Sequence, residues 1–275
     1  MTDHGPLIVL HAGFHKTGTS TLQRALQSHR ADLASRFAIA TRMTDKALAE
    51  AADAARAFSE RRGQMRRGAL VTRLFNWVGG LELLPGQGLL VSCEDLAGHM
   101  PGHKGVKTYA ATPEIARMTA DALMARFGAG TDLRILFTTR EIEDWLRSVH
   151  WQLAKHPELT VFADRFGRDY AKAGDLDRVV ADVRAELPDL RVESVRLESL
   201  VDRRLGPVEA LYDLADLPDS IRATLRKVAV QNQAPLYDLS GAFVALNRAR
   251  IPREVLKRLK LALQASAELD RDLGD

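Results

Sequence analysis

Leu7-Ile8-Val9-Leu10 is an unbroken apolar run that stops at His11-Ala12-Gly13, and a helix-like pattern begins soon afterwards. A strand that is apolar at every position has no face to offer water. It belongs inside a sheet covered on both sides. A buried strand feeding straight into a helix opens a parallel sheet, because parallel neighbours need a crossover. The alternation continues. Residues 37–40, 89–92, 133–138 and 190–197 read as further strands. Helical patterns fill about 20–33, 44–80, 113–127, 141–154 and 159–172, and most of the chain from 206 onward. Pro113 marks a helix start, with Gly128 and Gly130 as its stop. The expected fold class is α/β, a three-layer α/β/α arrangement around a parallel sheet of about five strands.

Composition adds mainly exclusions. The chain has 275 residues, ample for a core without staples. No repeat, low-complexity tract or long linker divides it, so the expectation is one domain over 1–275. Residues 42–88 form a helical insertion within it and 206–275 a helical C-terminal portion. Hydrophobic residues at 46% and charged residues at 27% exclude a disordered chain. One cysteine, Cys93, excludes an internal disulfide framework. The eight histidines are scattered, and no metal-ligand cluster is legible. The +3 balance of 39 basic against 36 acidic residues, with only 6% aromatics, does not point to nucleic acid. No apolar stretch approaches the roughly 20 residues of a membrane span, and no export signal is visible. The expectation is a cytoplasmic protein of unreadable oligomeric state.

The stretch after the first strand carries the chemistry: Gly13-Phe14-His15-Lys16-Thr17-Gly18-Thr19-Ser20-Thr21. Amides of a glycine-containing loop at a helix N-terminus converge on one point, where the helix dipole adds positive charge. Thr17, Thr19, Ser20 and Thr21 supply hydroxyls and Lys16 an ammonium. Such a loop suits a phosphate. It departs from the ATPase pattern G-x-x-x-x-G-K-[ST]. Gly13 and Gly18 have the spacing, but Thr19 stands in the lysine's place and the lysine precedes the second glycine. A polar turn with a capping threonine is the plain alternative.

The lysine-first order K-[TS]-G-T-[ST]-x-L resembles the 5′-phosphosulfate loop of sulfotransferases that use 3′-phosphoadenylyl sulfate (PAPS). The resemblance implies a P-loop-type fold and a second element, an Arg ending a later strand with a Ser eight residues on, both holding the 3′-phosphate. Arg140 follows the strand LRILFT-Thr139, and Ser148 lies eight residues beyond it. The implied donor is PAPS and the product adenosine 3′,5′-bisphosphate, with no metal. Lys16 would stabilise the leaving phosphate, and Lys16 through Thr21 would cradle the phosphosulfate. Arg140 and Ser148 could also be an ordinary ion-pairing arginine and a neutral helix residue.

A base is expected at an adjacent strand edge. Ser92-Cys93-Glu94-Asp95 ends a buried strand, and Glu94 holds the place where related enzymes carry their base. Asp95 suits a capping role better. His15, His99 and His103 are the other candidates. Two family stretches are missing: the C-terminal R-K-G-x-x-G-D-W lid and the K-T-H-L-P segment. Arg226 and Lys227 keep only the basic pair and read as exposed helix charges. The resemblance is therefore to a bacterial-type branch. Arg56, Arg61, Arg62, Arg66 and Arg67 read either as a solvated helix face or as a lid over an acidic acceptor. Trp77, Trp145 and Trp151 read chiefly as packing, with Trp151 also a candidate for the acceptor cleft. The rival functions are an ATP- or GTP-dependent kinase or NTPase, and a nucleotide-binding protein without catalysis.

Overall fold

The structure, a computed structural model, describes residues 5–229 and 238–272. In chain order, β1 (Leu7–His11) leads into α1 (Thr19–Ser28), α2 (Arg30–Leu33) and β2 (Phe37–Thr41). Next come α3 (Lys46–Glu60), α4 (Gln64–Gly79), β3 (Gly88–Ser92) and a 3-10 turn over Glu94–Ala97. Then follow α5 (Thr112–Phe127), β4 (Asp132–Thr139), α6 (Ile142–Ala154) and α7 (Ala163–Gly174). The remainder is α8 (Leu176–Glu186), β5 (Arg191–Arg196), α9 (Val208–Leu214), α10 (Asp219–Arg222), α11 (Ser240–Arg248) and α12 (Arg253–Asp272).

Contacts group these elements into two compact units. Unit one holds residues 5–140 and 175–229, and unit two holds 141–174 and 238–272.

Unit one is the α/β body. Its five strands are all parallel, in the order β2-β3-β1-β4-β5. Both alternating sets of strand residues are buried. Val9, Leu90 and Leu136 face a core shared with Leu22, Leu26, Val208 and Leu211 of α1 and α9. Ile8, Leu10, Leu89, Val91, Ile135 and Phe137 point the other way and are equally sealed. That double burial is why the strands read as continuous apolar runs. On that side α5 packs on α8, and α8 reaches β4 and β5. The connection after β1 leads toward β2 and the one after β4 toward β5, in opposite directions. The crevice beyond the C-terminal ends of β1 and β4 is therefore a topological switch point, where such sheets bind ligands.

Unit two is helical. Within it α6 packs on α7 and α11, around Ala154, Phe243 and Val244 with Trp151, Leu159 and Leu239. The carbonyls at the end of α6 and in the turn after it lack helical partners. Asn247 Nδ2 shares its two protons among the carbonyls of Ala154, His156 and Leu159, at 3.1, 2.9 and 2.7 Å.

Several expectations need correction. The helix expected over 20–33 breaks at His29, whose ring bonds the Tyr212 hydroxyl and the Arg226 carbonyl, both at 2.7 Å. α8 lies where no helical pattern is expected. Arg226 and Lys227 are exposed but lie outside any helix. The helix expected from 159 starts at Ala163. Trp77 and Trp145 are fully buried, as packing residues are. Residues 230–237 and 273–275 of the helical C-terminal portion lie outside the described residues. No helix among the described residues is long and apolar enough to cross a membrane.

Candidate functional site

The loop between β1 and α1 is shaped by two left-handed residues. Lys16 has φ +68° and Gly18, the N-cap of α1, has φ +89°. Such residues curve a backbone so that its N–H groups face one side. At Gly18 glycine is needed twice over, because a Cβ would also lie 2.7 Å from Leu197 Cδ1. At Lys16 the same conformation in a residue with a side chain stores strain, and such strain clusters at ligand sites. No acidic residue occupies the first turn of α1, so the helix dipole is unopposed there.

The loop is held from below. The Ser92 hydroxyl pairs with His11 Nδ1 at 2.8 Å, and His11 Nε2 with Thr138 Oγ1 at 3.2 Å. Thr138 meets Thr17 Oγ1 at 2.7 Å, and Thr17 donates to the Phe14 carbonyl at 2.6 Å. One set of protons satisfies every link: Ser92 to His11, His11 to Thr138, Thr138 to Thr17, Thr17 to Phe14. This assigns His11 as the neutral Nε2–H tautomer, inferred from the network. Burial lowers the His11 pKa to about 3, in keeping with that state. Gly13 passes over this ring, where a Cβ would sit 2.3 Å from His11 Nε2. Thr17, expected to face the ligand, is thus fully buried and braces the loop against β4.

The loop is also clamped from the β3 side. His15 Nε2 lies 3.1 Å from Asp95 Oδ1, and Nδ1 lies 3.1 Å from the Tyr109 hydroxyl. The His15 backbone N–H donates to that hydroxyl at 3.3 Å. Asp95 meets Arg42 at 2.8 Å and Arg56 at 3.8 Å as well. Burial works to raise the Asp95 pKa, but the His15 hydrogen bond and the charges of His15, Arg42 and Arg56 outweigh it, and the carboxyl is held below its usual range. Asp95 is therefore an ionic hub rather than a helix cap; the 3-10 turn has Cys93 at its N-cap and no side-chain cap. Asp95→Asn is expected to cost about 2 kcal/mol, the low side for a broken buried pair because Arg42 is partly exposed and keeps Asp53. A depressed carboxyl contributes above its unfolded pKa of about 3.9 and loses that contribution as pH falls through its lower folded value. Urea titrations at pH 7 and pH 3 check both points: the difference between Asp95→Asn and the parent should shrink at pH 3.

The other expected residues are placed as follows. Thr19 and Thr21 are buried in the first turn of α1, and Ser20 is exposed. Lys16 is half-buried. Glu94 opens the 3-10 turn after β3 and accepts from Gln23 Nε2 of α1 at 2.5 Å. Arg140 follows β4 directly, and its Nη1 donates to the Lys16 carbonyl at 3.3 Å, so it reaches the strained residue. Arg140 Nε and Thr139 Oγ1 are buried without a hydrogen-bond partner. Ser148 lies half-buried on α6, in unit two. His99 is buried, and burial first, then Arg56, His103 and His15, lower its pKa to about 4. The His103 ring stacks on it at 5.1 Å. Burial pushes the Cys93 thiol pKa up, which makes it inert. Of the basic cluster, Arg56 meets Asp53, Arg66 meets Glu60, Arg67 meets Glu114 and Arg62 donates to the Ala110 carbonyl. The His11 relay and the Asp95 hub escaped sequence reading. Their partners are far apart in the chain, and no spacing announces them.

Among the described residues no group of three or more His, Cys, Asp or Glu side chains is placed to hold a metal ion. A scan of protein-family models finds no match for this chain. No curated protein matches it. Among solved structures, a chain of the PezAT chromosomal toxin–antitoxin system of the human pathogen Streptococcus pneumoniae is similar at 12% identity and a TM-score of 0.33. The match covers 90% of this chain and 89% of that one, a likeness too slight to bear on fold or function.

Proposed function

We propose that this protein is a sulfotransferase that moves a sulfuryl group from PAPS to a hydroxyl or amine of a small-molecule or glycan acceptor, in the cytoplasm. The observation that carries the reading is Arg140 reaching the strained Lys16 across the switch point of the sheet. A lysine-first loop and an arginine ending β4 meet at one anion-seeking place.

The residues fit the donor. Thr139 Oγ1 is a buried hydroxyl without a hydrogen-bond partner, Arg140 Nε makes no hydrogen bond and has the Glu198 carboxylate 3.9 Å away, and a phosphate oxygen accepts from both types of group. The N–H groups of residues 16–21 and the unopposed dipole of α1 would hold the 5′-phosphate. PAPS supplies an activated sulfuryl group on a phosphate leaving group. Lys16 Nζ is the cation that neutralises charge developing at that phosphate. Arg140 orients the nucleotide through its second phosphate. Glu94 is the proposed base, and Gln23 fixes its carboxylate for accepting a proton at the free oxygen.

Thermal denaturation tests the reading. At a hundredfold excess over its Kd, adenosine 3′,5′-bisphosphate without Mg²⁺ is expected to stabilise the chain by about 2.7 kcal/mol, a rise of roughly 5 °C or more in Tm. ATP with Mg²⁺ should leave Tm unchanged. The reverse pattern would replace the sulfotransferase with a kinase or NTPase.

A further inference from the structure

Unit two holds a cavity of about 390 Å³ between the end of α6 and the start of α12, at the lower end of small-molecule sites. Its wall is of two kinds. Phe243, Leu256 and Leu261 give an apolar side, and Lys155, Arg253, Lys257 and Lys260 give a cationic one in which Glu254 is the single carboxylate. Lys260 is almost fully buried, and its Nζ donates to the Ala154 and Lys155 carbonyls at 2.8 and 3.1 Å. The same ammonium lies 5.3 Å from the Phe243 ring centroid, and the Lys155 ammonium lies 5.0 Å from that of Trp151.

The cations outnumber the one lining carboxylate. Among the described residues Lys155, Lys257 and Lys260 form no ion pair; Glu158 goes to Arg253 at 3.6 Å, and its charge also reaches Lys260. Partial desolvation lowers the pKa of Lys155 and of Lys260. Lys260 is buried and Lys155 and Lys257 are exposed, and an anion seated among them offsets their mutual repulsion. A hydrated inorganic ion would leave the apolar side unused, and a neutral apolar molecule would leave the charges uncompensated. We propose that this cavity binds an amphiphilic organic anion, a carboxylate or sulfate carrying an apolar chain. The site stands on unit two alone, whatever unit one binds.

Calorimetric titration of the full chain with sodium decanoate, well below its micelle concentration, tests this. Saturable one-site binding is expected, with decanol and inorganic phosphate each binding about tenfold more weakly or less. Lys155→Gln with Lys257→Gln should weaken decanoate about tenfold through the charge. Leu261→Gln, at a residue 55% exposed and so safe for folding, should weaken it through the chain. Absence of saturable decanoate binding overturns the proposal. So does equal affinity for decanol or phosphate, or unchanged decanoate affinity in both sets of variants. The comparison of the three ligands needs no variant, so it stands even if a substituted chain fails to fold.

Discussion

Lys16→Met is expected to lower turnover by about 10³-fold, the upper range for removing one donor aimed at developing negative charge. Folding should be little affected, because the side chain is half-buried and the backbone conformation of a non-glycine residue is retained. The split between binding and turnover is informative. Under the proposed function Lys16 would act where charge develops, so its loss should fall mainly on kcat. Arg140 would hold a charge present in donor and product alike, so Arg140→Ala should fall mainly on affinity for adenosine 3′,5′-bisphosphate. Both are measured with labelled PAPS and an acceptor found by screening. Glu94→Gln belongs to the same series and should lose kcat without losing the bisphosphate. Full turnover in Lys16→Met would remove the basis of the proposed function, and full turnover in Glu94→Gln would move the base elsewhere.

Acid should destabilise the fold well above the carboxylate range. His11 is fully buried and its pKa is lowered to about 3. The unfolded chain takes up a proton at this residue near pH 6.5, while the folded chain stays neutral. The unfolded state then holds more protons, so stability falls as pH falls. One such group contributes about 1.4 kcal/mol per pH unit, which accumulates to about 4 kcal/mol by pH 3.5. His99, lowered to about 4, adds in the same direction. Urea denaturation at intervals between pH 7 and pH 4 reads the slope. His11→Gln should reduce it by close to one proton. An unchanged slope would mean that His11 titrates normally and that the relay to Thr17 is not built on a neutral ring.

The relay also explains why the loop was legible and its support was not. Gly13, Lys16, Gly18 and the threonines are contiguous, so sequence order displays them. His11, Ser92 and Thr138 are brought together by parallel register, with His11 beside Ser92 and Thr138 one pleat beyond the neighbour of His11 on β4. Thr17 reads as a ligand hydroxyl in a row of hydroxyls. In the fold its neighbours are Phe14 and Thr138, and its proton goes to the backbone. Asp95 reads as a cap because it follows a strand and opens a turn. Arg42 directly follows β2, the parallel neighbour of β3, and that adjacency makes Asp95 a hub.

The apolar runs by themselves determined the class of fold. A strand sealed on both faces admits few architectures, and the alternation of strands with helices selects a parallel one. Four of the strands lie within two residues of their expected ends, and β5 lies inside its expected range. Local chemistry also marked the lysine-first loop and the arginine after β4. Strand order, and with it the switch point that sets that loop beside Arg140, was decided only by tertiary structure. So were the grouping of contacts into two units and the lysine-lined cavity of the second. The physical reason is the same throughout. Burial and backbone preference act on neighbours in sequence, whereas register, charge pairing and cavities arise between residues that only the folded chain brings together.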